Sequence, residues 1–465
     1  MAFNPNTRII LHLGLGSFHR AHQAVYVQKL INSGDTNWVL AAGNIRPDMP
    51  EVATALQQQG YYTLETISPD DVREYERIDA IRHVIAYDPS LRELIEIGAH
   101  SATGIISFTV TEAGYYLDEY NHLALNFKDL SEDIERVRLQ QPGQTIYGAL
   151  VSILRARMAQ HGGKVTLLNC DNLRHNGERF RKGFLEFIDL LGDVELRAWV
   201  EANTSCPNAM VDRITPRPTP EVAERVLAAT GKADAAALMS EAFIQWVIED
   251  DFCAGRPDWE KVGVEMVASV NAHEEAKIRI LNASHSCIAW AGTLVGYQYI
   301  HQGIQDERIR QLAYDYVNND VIPCLSPSTI DLAKYRDVVL ARFGNEAIRD
   351  TNQRVAMDGF SKIPGYIVPT FHDCLNKGIP FDSVAVLPAL FLAFLQRQQR
   401  GEIPYEYHDQ SMTAESARTI CTSDDPVKAY VAERLLFDDI AGDERLLAEM
   451  RGAYERVQQF IEKKR

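Results

Sequence analysis

RIILHLGLGSFH, residues Arg8–His19, decides the fold. Arg8–Leu13 is a short, largely apolar run closed by Gly14, the pattern of a buried strand. A tight turn follows at Gly14-Leu15-Gly16, and Ala21–Ser33 then reads as a helix. A glycine turn between strand and helix suits a dinucleotide. The first glycine permits the turn, the second lets the backbone approach a pyrophosphate, and the helix start offers unpaired N–H groups. The third glycine of the G-x-G-x-x-G fingerprint is missing, and His19 stands in its place. The turn alone therefore leaves an ordinary tight turn open as the alternative.

Outward from this turn, Trp38–Gly43, Ile105–Val110 and Val165–Leu168 are further strand-like runs separated by helical segments. That alternation predicts βαβ units and a mostly parallel, Rossmann-type α/β domain. After WVLAAG, where an acid would bond a ribose diol and favour NAD, stands Asn44. Arg46, which would favour the 2′-phosphate of NADP, and Asp48 follow, so the spacing leaves the choice open. From about Glu274 the periodicity becomes helical: Lys277–Thr293, Asp306–Val317, Ser328–Ala341, Val384–Arg400, Pro426–Leu436 and Asp443–Glu462. A boundary is expected near residue 272. It separates the Rossmann-type α/β domain, residues 1–272, from a mainly α-helical domain, residues 273–465.

The 465 residues suit two to four domains, and 46% hydrophobic residues exclude disorder as the main state. Lys and Arg number 47 against 64 Asp and Glu, a formal charge of −17 that argues against a nucleic-acid partner. Met1–Asn6 is polar and Ile9–Leu13 is too short for a signal-peptide core, so a cytoplasmic protein is expected. The longest apolar run, Val384–Leu395, falls short of the ~18–20 residues that span a bilayer and reads as a buried core helix. Seven scattered cysteines without a C-x-x-C pair read as reduced thiols. Asn169-Cys170-Asp171 and nearby His175 lack zinc-type spacing, so no metal is expected. The sequence does not fix the oligomeric state.

KIRILNASH, Lys277–His285, carries the most chemistry. On an α-helical wheel with Lys277 at zero, Glu274 falls at about 60°, His285 at about 80° and Asn282 at about 140°. Ile278 lies within the same sector. Mixed polar and apolar residues on one face suit a partly buried polar pocket, although a surface helix with an ordinary Glu–Lys pair fits the spacing as well. In the pocket reading, a desolvated lysine loses ammonium stability and serves as a base. Asn282 then offers its amide to an oxygen that gains charge, and His285 orients it.

Six blocks in order carry a resemblance: GLGSFHRAHQA (Gly14–Ala24), FTVTEAGYY (Phe108–Tyr116), NCDNLRHNG (Asn169–Gly177), MVDRITP (Met210–Pro216), KIRILNASH and RVAMDGFSKI (Arg354–Ile363). Together they resemble the mannitol dehydrogenase family, the polyol-specific long-chain dehydrogenases and reductases, whose signature is K-x4-N-x2-H. The resemblance implies a nicotinamide-dependent enzyme acting on a small polyol or ketose, with Lys277 as general base and no metal. It places Asn282 and Asn172 on the reacting oxygen and His285 on the substrate. Asp212, Arg354 and Lys362 match substrate-binding positions, and Glu112 and Glu274 match acids of a proton path to solvent. Gly14, Gly16 and Phe18 match cofactor contacts, with Asn44 and Asp48 in the ribose loop. The family itself departs from G-x-G-x-x-G at the third glycine. Within the family, GNIRPDMPE (Gly43–Glu51) and YTLETISP (Tyr62–Pro69) resemble a pentitol-specific branch most, which implies D-arabinitol to D-xylulose with NAD, NADP staying open. Mannitol, a hexuronate or a sugar phosphate as substrate, and a non-catalytic dinucleotide-binding regulator, are the other readings.

Overall fold

The computed structural model describes residues 7–118 and 121–463, apart from the side chains of Glu112 and Ala414. The chain forms two compact units. One comprises residues up to Ile67 together with Val72–Asn271, and the other comprises Ser68–Asp71 and the chain from Ala272 onward.

Six strands build the main sheet of the first unit: β1 (Arg8–Leu13), β2 (Trp38–Gly43), β3 (Ile81–Ile85), β4 (Thr103–Phe108), β5 (Val165–Asn169) and β6 (Thr204–Ser205). Their order is β3-β2-β1-β4-β5-β6, and every pairing is parallel. This is the doubly wound order of dinucleotide-binding domains, reversing between β1 and β4. Side chains alternate between two cores. Ile9, Leu11, Leu13, Ile106 and Leu167 enter one, whereas Ile10, Leu40, Ile105 and Leu168 enter the other. A parallel sheet covered on both faces needs such near-continuous apolar strands, and each fully buried Leu or Ile contributes about 1.5–3 kcal/mol. The register aligns the strand ends: Leu13 pairs with Gly43 and with Phe108, and Phe108 pairs with Asn169. The residues that follow these four strands therefore emerge along one edge of the sheet.

The structure departs from the sequence pattern in several places; the strand expected at Ile105–Val110, for one, runs Thr103–Phe108, and Ile81–Ile85 and Thr204–Ser205 join the sheet without having been read as strands. The helix expected at Ala21–Ser33 begins at Ser17 and is broken at His22, giving Ser17–Ala21 and Gln23–Asn32. At the break His22 is held by a tertiary contact, its Nε2 meeting Gln245 O at 2.8 Å, and stacks on its neighbour Phe18. Two three-stranded sheets were also not anticipated. One joins Leu238–Glu241, Tyr62–Ile67 and Arg73–Ile78, and the other joins Glu265–Val267, Gln245–Glu249 and Ala209–Asp212. Strands such as REYERI carry too much charge to read as strands. The buried Glu65 beside them is held by Arg225, Nε at 2.8 Å and Nη2 at 2.8 Å, and by Arg73.

The second unit is helical. At its centre Val386–Gln399 buries every residue from Val386 to Leu395. Among the described residues no helix is long and apolar enough to cross a membrane. Several helix starts follow side-chain caps. The helix expected from Ser328 begins at Leu332 because Asp331 accepts from Lys334 N–H, and Asp443 caps Glu444–Glu462. Three segments, Lys277–Asn282, Tyr316–Val321 and Ile363–Ile367, are π-helical, a geometry found mostly as bulges and often at functional sites.

Asp320, in the second of these, is buried and accepts the Val384 N–H at 2.5 Å. Burial, with Asp382 and Asp315 nearby, raises its carboxyl from 3.8 to about 7. A carboxyl raised on folding loses stability as pH climbs from its unfolded value to its folded one. The penalty is absent below about pH 4 and complete above about pH 7, with a ceiling on the order of 4 kcal/mol. Asp320→Asn is therefore expected to gain several degrees in Tm relative to wild type at pH 8 compared with pH 5. Thermal unfolding at the two pH values measures this, and an equal difference at both would refute it.

Candidate active site

The sheet edge is built by the turns after β1, β2, β4 and β5. Gly14 has φ +140°, a conformation that side chains rarely adopt, and its N–H donates to Gly43 O at 2.8 Å. Gly16 has an ordinary φ of −64°, but a Cβ there would meet no protein atom within 4 Å. Its backbone thus faces open space at the start of Ser17–Ala21. Asn44 is buried and braces the turn: Oδ1 accepts Leu15 N–H at 2.7 Å, and Nδ2 donates to Asp48 O at 2.6 Å. The Asp48 side chain is exposed at the loop tip. Arg46 is engaged with Tyr116 OH at 2.7 Å and Gln144 O at 2.9 Å. Phe18 is half-buried beside His22. His19, in the position of the missing glycine, is fully buried and stacks on His12 with ring centroids 3.4 Å apart. Burial lowers its pKa to about 3, so the pair packs as neutral rings.

After β4 and β5 the chain is organised by Asp171, which the sequence reading weighed only as a metal ligand. This buried carboxylate accepts N–H groups of Val110 at 2.9 Å and Thr111 at 2.9 Å, and the hydroxyl of Tyr115. Burial raises its pKa, and these donors oppose the rise. Thr111 sits at φ 67°, ψ 164°, a region that is essentially glycine's. The three donors hold the VTE turn in that conformation. Glu112 opens the short helical turn that follows, and its side chain lies outside the described part of the structure. Asn169 and Asn176 turn inward, Asn169 Oδ1 accepting from Asp171 N–H at 2.8 Å and Asn176 Nδ2 donating to Ala209 O at 2.8 Å. Asn172 is exposed. Asp212 is buried at the end of the antiparallel strand Ala209–Asp212.

In the second unit, Glu274 and Lys277 are buried, and Asn282 and His285 are partly exposed. The wheel drawn for an α-helix does not apply here, because Lys277–Asn282 is π-helical. Its i→i+5 bonding makes residues five apart neighbours along one face, so Lys277 and Asn282 lie closer in angle than 140°. Arg279 secures this turn through Glu275, Nε–Oε2 2.8 Å, and Asp373, Nη1–Oδ2 2.5 Å. One helical stretch further on, His285 stacks on Phe343 with centroids 4.7 Å apart, and its Nε2 lies 3.0 Å from Asp350 Oδ2 at a bent angle. Asp350 also takes the fork of Arg354, Nε–Oδ1 2.7 Å and Nη2–Oδ2 2.6 Å. Burial would raise the Asp350 carboxyl, yet His285 and Arg354 hold it well below the usual range. Burial lowers His285 below 6.5 despite Asp350, and brings Lys362 from 10.5 to about 8. Lys362 Nζ donates to Val355 O at 2.6 Å. His285, Arg354 and Lys362 thus form one cluster around Asp350, a residue with no place in the sequence motifs. Among the described residues no group of three or more His, Cys, Asp or Glu is disposed to hold a metal ion.

Residues 8–261 match the model of the mannitol dehydrogenase Rossmann domain, and residues 269–458 match that of the mannitol dehydrogenase C-terminal domain. The chain belongs to the mannitol dehydrogenase family. It is an oxidoreductase of the polyol dehydrogenase class. Among relatives within the family, the D-arabinitol 4-dehydrogenase of Ralstonia nicotianae is 53% identical, the match covering 97% of this chain and 96% of that protein. That of Klebsiella pneumoniae is 52% identical, over 95% and 96%. Of solved family structures, Pseudomonas fluorescens mannitol 2-dehydrogenase, a ternary complex with NAD and D-mannitol, superposes with TM-score 0.80 at 31% identity, covering 98% of this chain and 96% of that one. The residues at the sheet edge fit a dinucleotide. Gly14 requires glycine, the Gly16 position has open space where a Cβ would stand, and both lie at the strand reversal, where such ligands bind.

Proposed function

We propose that the protein oxidises D-arabinitol to D-xylulose with NAD, by lysine base catalysis without a metal. The observation that carries the reading is the Lys277–Asn282–His285 set, a buried amine on a π-helical turn followed by two polar groups on a more open stretch. Relatives at 52–53% identity named D-arabinitol 4-dehydrogenase support the substrate.

The roles are assigned by position in the family blocks. Neutral Lys277 takes the hydroxyl proton of the alcohol carbon, and Asn282 and Asn172 stabilise the oxygen as it gains charge. His285 hydrogen-bonds the substrate, and Asp212, Arg354 and Lys362 hold the rest of the polyol. Glu274 and Glu112 pass the proton toward solvent. Gly14, Gly16, Phe18, Asn44 and Asp48 hold the dinucleotide, Asn44 by bracing the turn. The dinucleotide, when bound by these residues, would supply the acceptor for the hydride of the same carbon, so that loss of proton and hydride gives the ketone. The exposed Asp48 carboxylate and the engagement of Arg46 with Tyr116 and Gln144 favour a free ribose 2′-hydroxyl, hence NAD over NADP.

The test is cofactor reduction on D-arabinitol, D-mannitol, D-sorbitol, ribitol and xylitol, with NAD and NADP separately. The expected result is fastest turnover on D-arabinitol with NAD, at least tenfold above NADP. Preference for mannitol would keep the chemistry and replace the substrate. Absence of polyol oxidation together with reduction of fructuronate or tagaturonate would assign a hexuronate reductase. Dinucleotide binding without turnover in either direction would leave a regulator.

A further inference from the structure

We propose that Asp350 is a specificity-determining residue, which makes the binding cluster of the helical unit electrically neutral and so selects uncharged polyols over the corresponding sugar acids. This rests on the assignment of His285, Arg354 and Lys362 to the substrate given above.

Arginine is the usual partner for a carboxylate because its fork meets two oxygens at once. Here that fork is already filled. Nε and one terminal nitrogen of Arg354 are spent on the two oxygens of Asp350, at 2.7 and 2.6 Å. The carboxylate lies behind the guanidinium: the Asp350 side chain is 8% exposed and that of Arg354 65%. An approaching substrate therefore meets the outer edge of Arg354. That edge still has N–H donors for a hydroxyl oxygen, but its charge is compensated. An added carboxylate on the substrate would compete with Asp350 for the fork and be repelled by it.

The same carboxylate faces His285. Its Oδ2 lies 3.0 Å from Nε2, too bent for a hydrogen bond, and its negative charge favours the neutral imidazole with the proton on Nε2 and Nδ1 as acceptor. An acceptor suits a hydroxyl O–H and has nothing to offer a carboxylate. Lys362, the other cation, donates to the neutral Val355 carbonyl and feels the charges of Asp358, Asp409 and Asp350. Asp350 itself is pinned, since its backbone carbonyl accepts Ile300 N–H at 2.9 Å. Arg354, the cation with the fork that a carboxylate would need, is thus the one that Asp350 neutralises.

The experiment compares wild type with Asp350→Asn, using D-arabinitol as substrate and D-arabinonate, its sugar acid, as competitive inhibitor. Asn keeps the shape and one acceptor oxygen but removes the charge. The expected result is an arabinonate inhibition constant at least tenfold lower in the variant. The arabinitol KM should rise several-fold, with a smaller change in kcat. An unchanged inhibition constant beside a raised KM would show a merely structural role and overturn the proposal. Should Asp350→Asn fail to fold, wild type still decides. Arabinonate must bind at least tenfold more weakly than ribitol, and tighter binding overturns the proposal. Asp350→Glu, which keeps the charge, should preserve that discrimination. A wild type without polyol turnover would overturn the function reading instead, with the direct binding ratio of arabinonate to ribitol still judging Asp350.

Discussion

Lys277→Ala is expected to lower turnover on the preferred polyol by about 10³-fold or more while leaving cofactor affinity within about threefold. A positioned general base contributes typically 10²–10⁴-fold, and without one the hydroxyl proton has no acceptor aligned with hydride departure. The dinucleotide turn at Gly14 and Gly16 belongs to the first unit, and Lys277 belongs to the second, so the substitution leaves the residues proposed to hold the cofactor untouched. Lys277→Arg places a permanent cation there without a usable base, because guanidinium does not deprotonate in this range. It should therefore be as slow as alanine. The two variants together separate proton transfer from charge placement. Recovery of the arginine variant to within tenfold of wild type would remove Lys277 from the role of base, as would turnover of the alanine variant near wild type. The measurement is single-turnover cofactor reduction across pH 6–10, with dinucleotide affinity titrated separately.

The parallel sheet could be read from the sequence because its strands are short apolar runs, each ended by a glycine or a polar residue. Arg8–Leu13 and Trp38–Gly43 agree with the structure at both ends. The accessory strands could not, since Arg73–Ile78 owes its place to pairing with Tyr62–Ile67 rather than to its own pattern. The Lys277 helix shows another limit. A fixed 3.6-residue period has no means of representing a π-helical turn, so Lys277 and Asn282 were drawn too far apart. The two organising carboxylates were hidden for a different reason. Asp171 acts on Val110 and Thr111, and Asp350 acts on His285, partners some sixty residues away in the chain. Motif spacing reveals groups that cooperate along one helix and is blind to those that meet only by folding. His19 is the converse case. The family resemblance already removes it as a defect in a glycine fingerprint, and its stacking on His12 shows what the position packs against.

Asp171→Ala is expected to destabilise the protein by about 3–5 kcal/mol and to reduce turnover sharply, the largest stability effect of any single change considered. The carboxylate is buried and takes two backbone N–H groups and the Tyr115 hydroxyl. Its removal leaves those donors unpaired in a dry setting, and each orphaned donor costs about 1–3 kcal/mol. The strained Thr111 backbone adds to the effect. A conformation at φ 67°, ψ 164° lies ~1–3 kcal/mol above an ordinary one and persists only while its surroundings enforce it. Released from Asp171, the VTE turn relaxes, and it is the turn that opens the short helical segment bearing Glu112. Asp171→Asn keeps one acceptor and should fall between wild type and alanine in stability. Urea unfolding at pH 7 measures the first part, and kcat under conditions where each variant is folded measures the second. A loss below about 1 kcal/mol would mean that Tyr115 and the turn find other partners, and that Asp171 does not hold the sheet edge together.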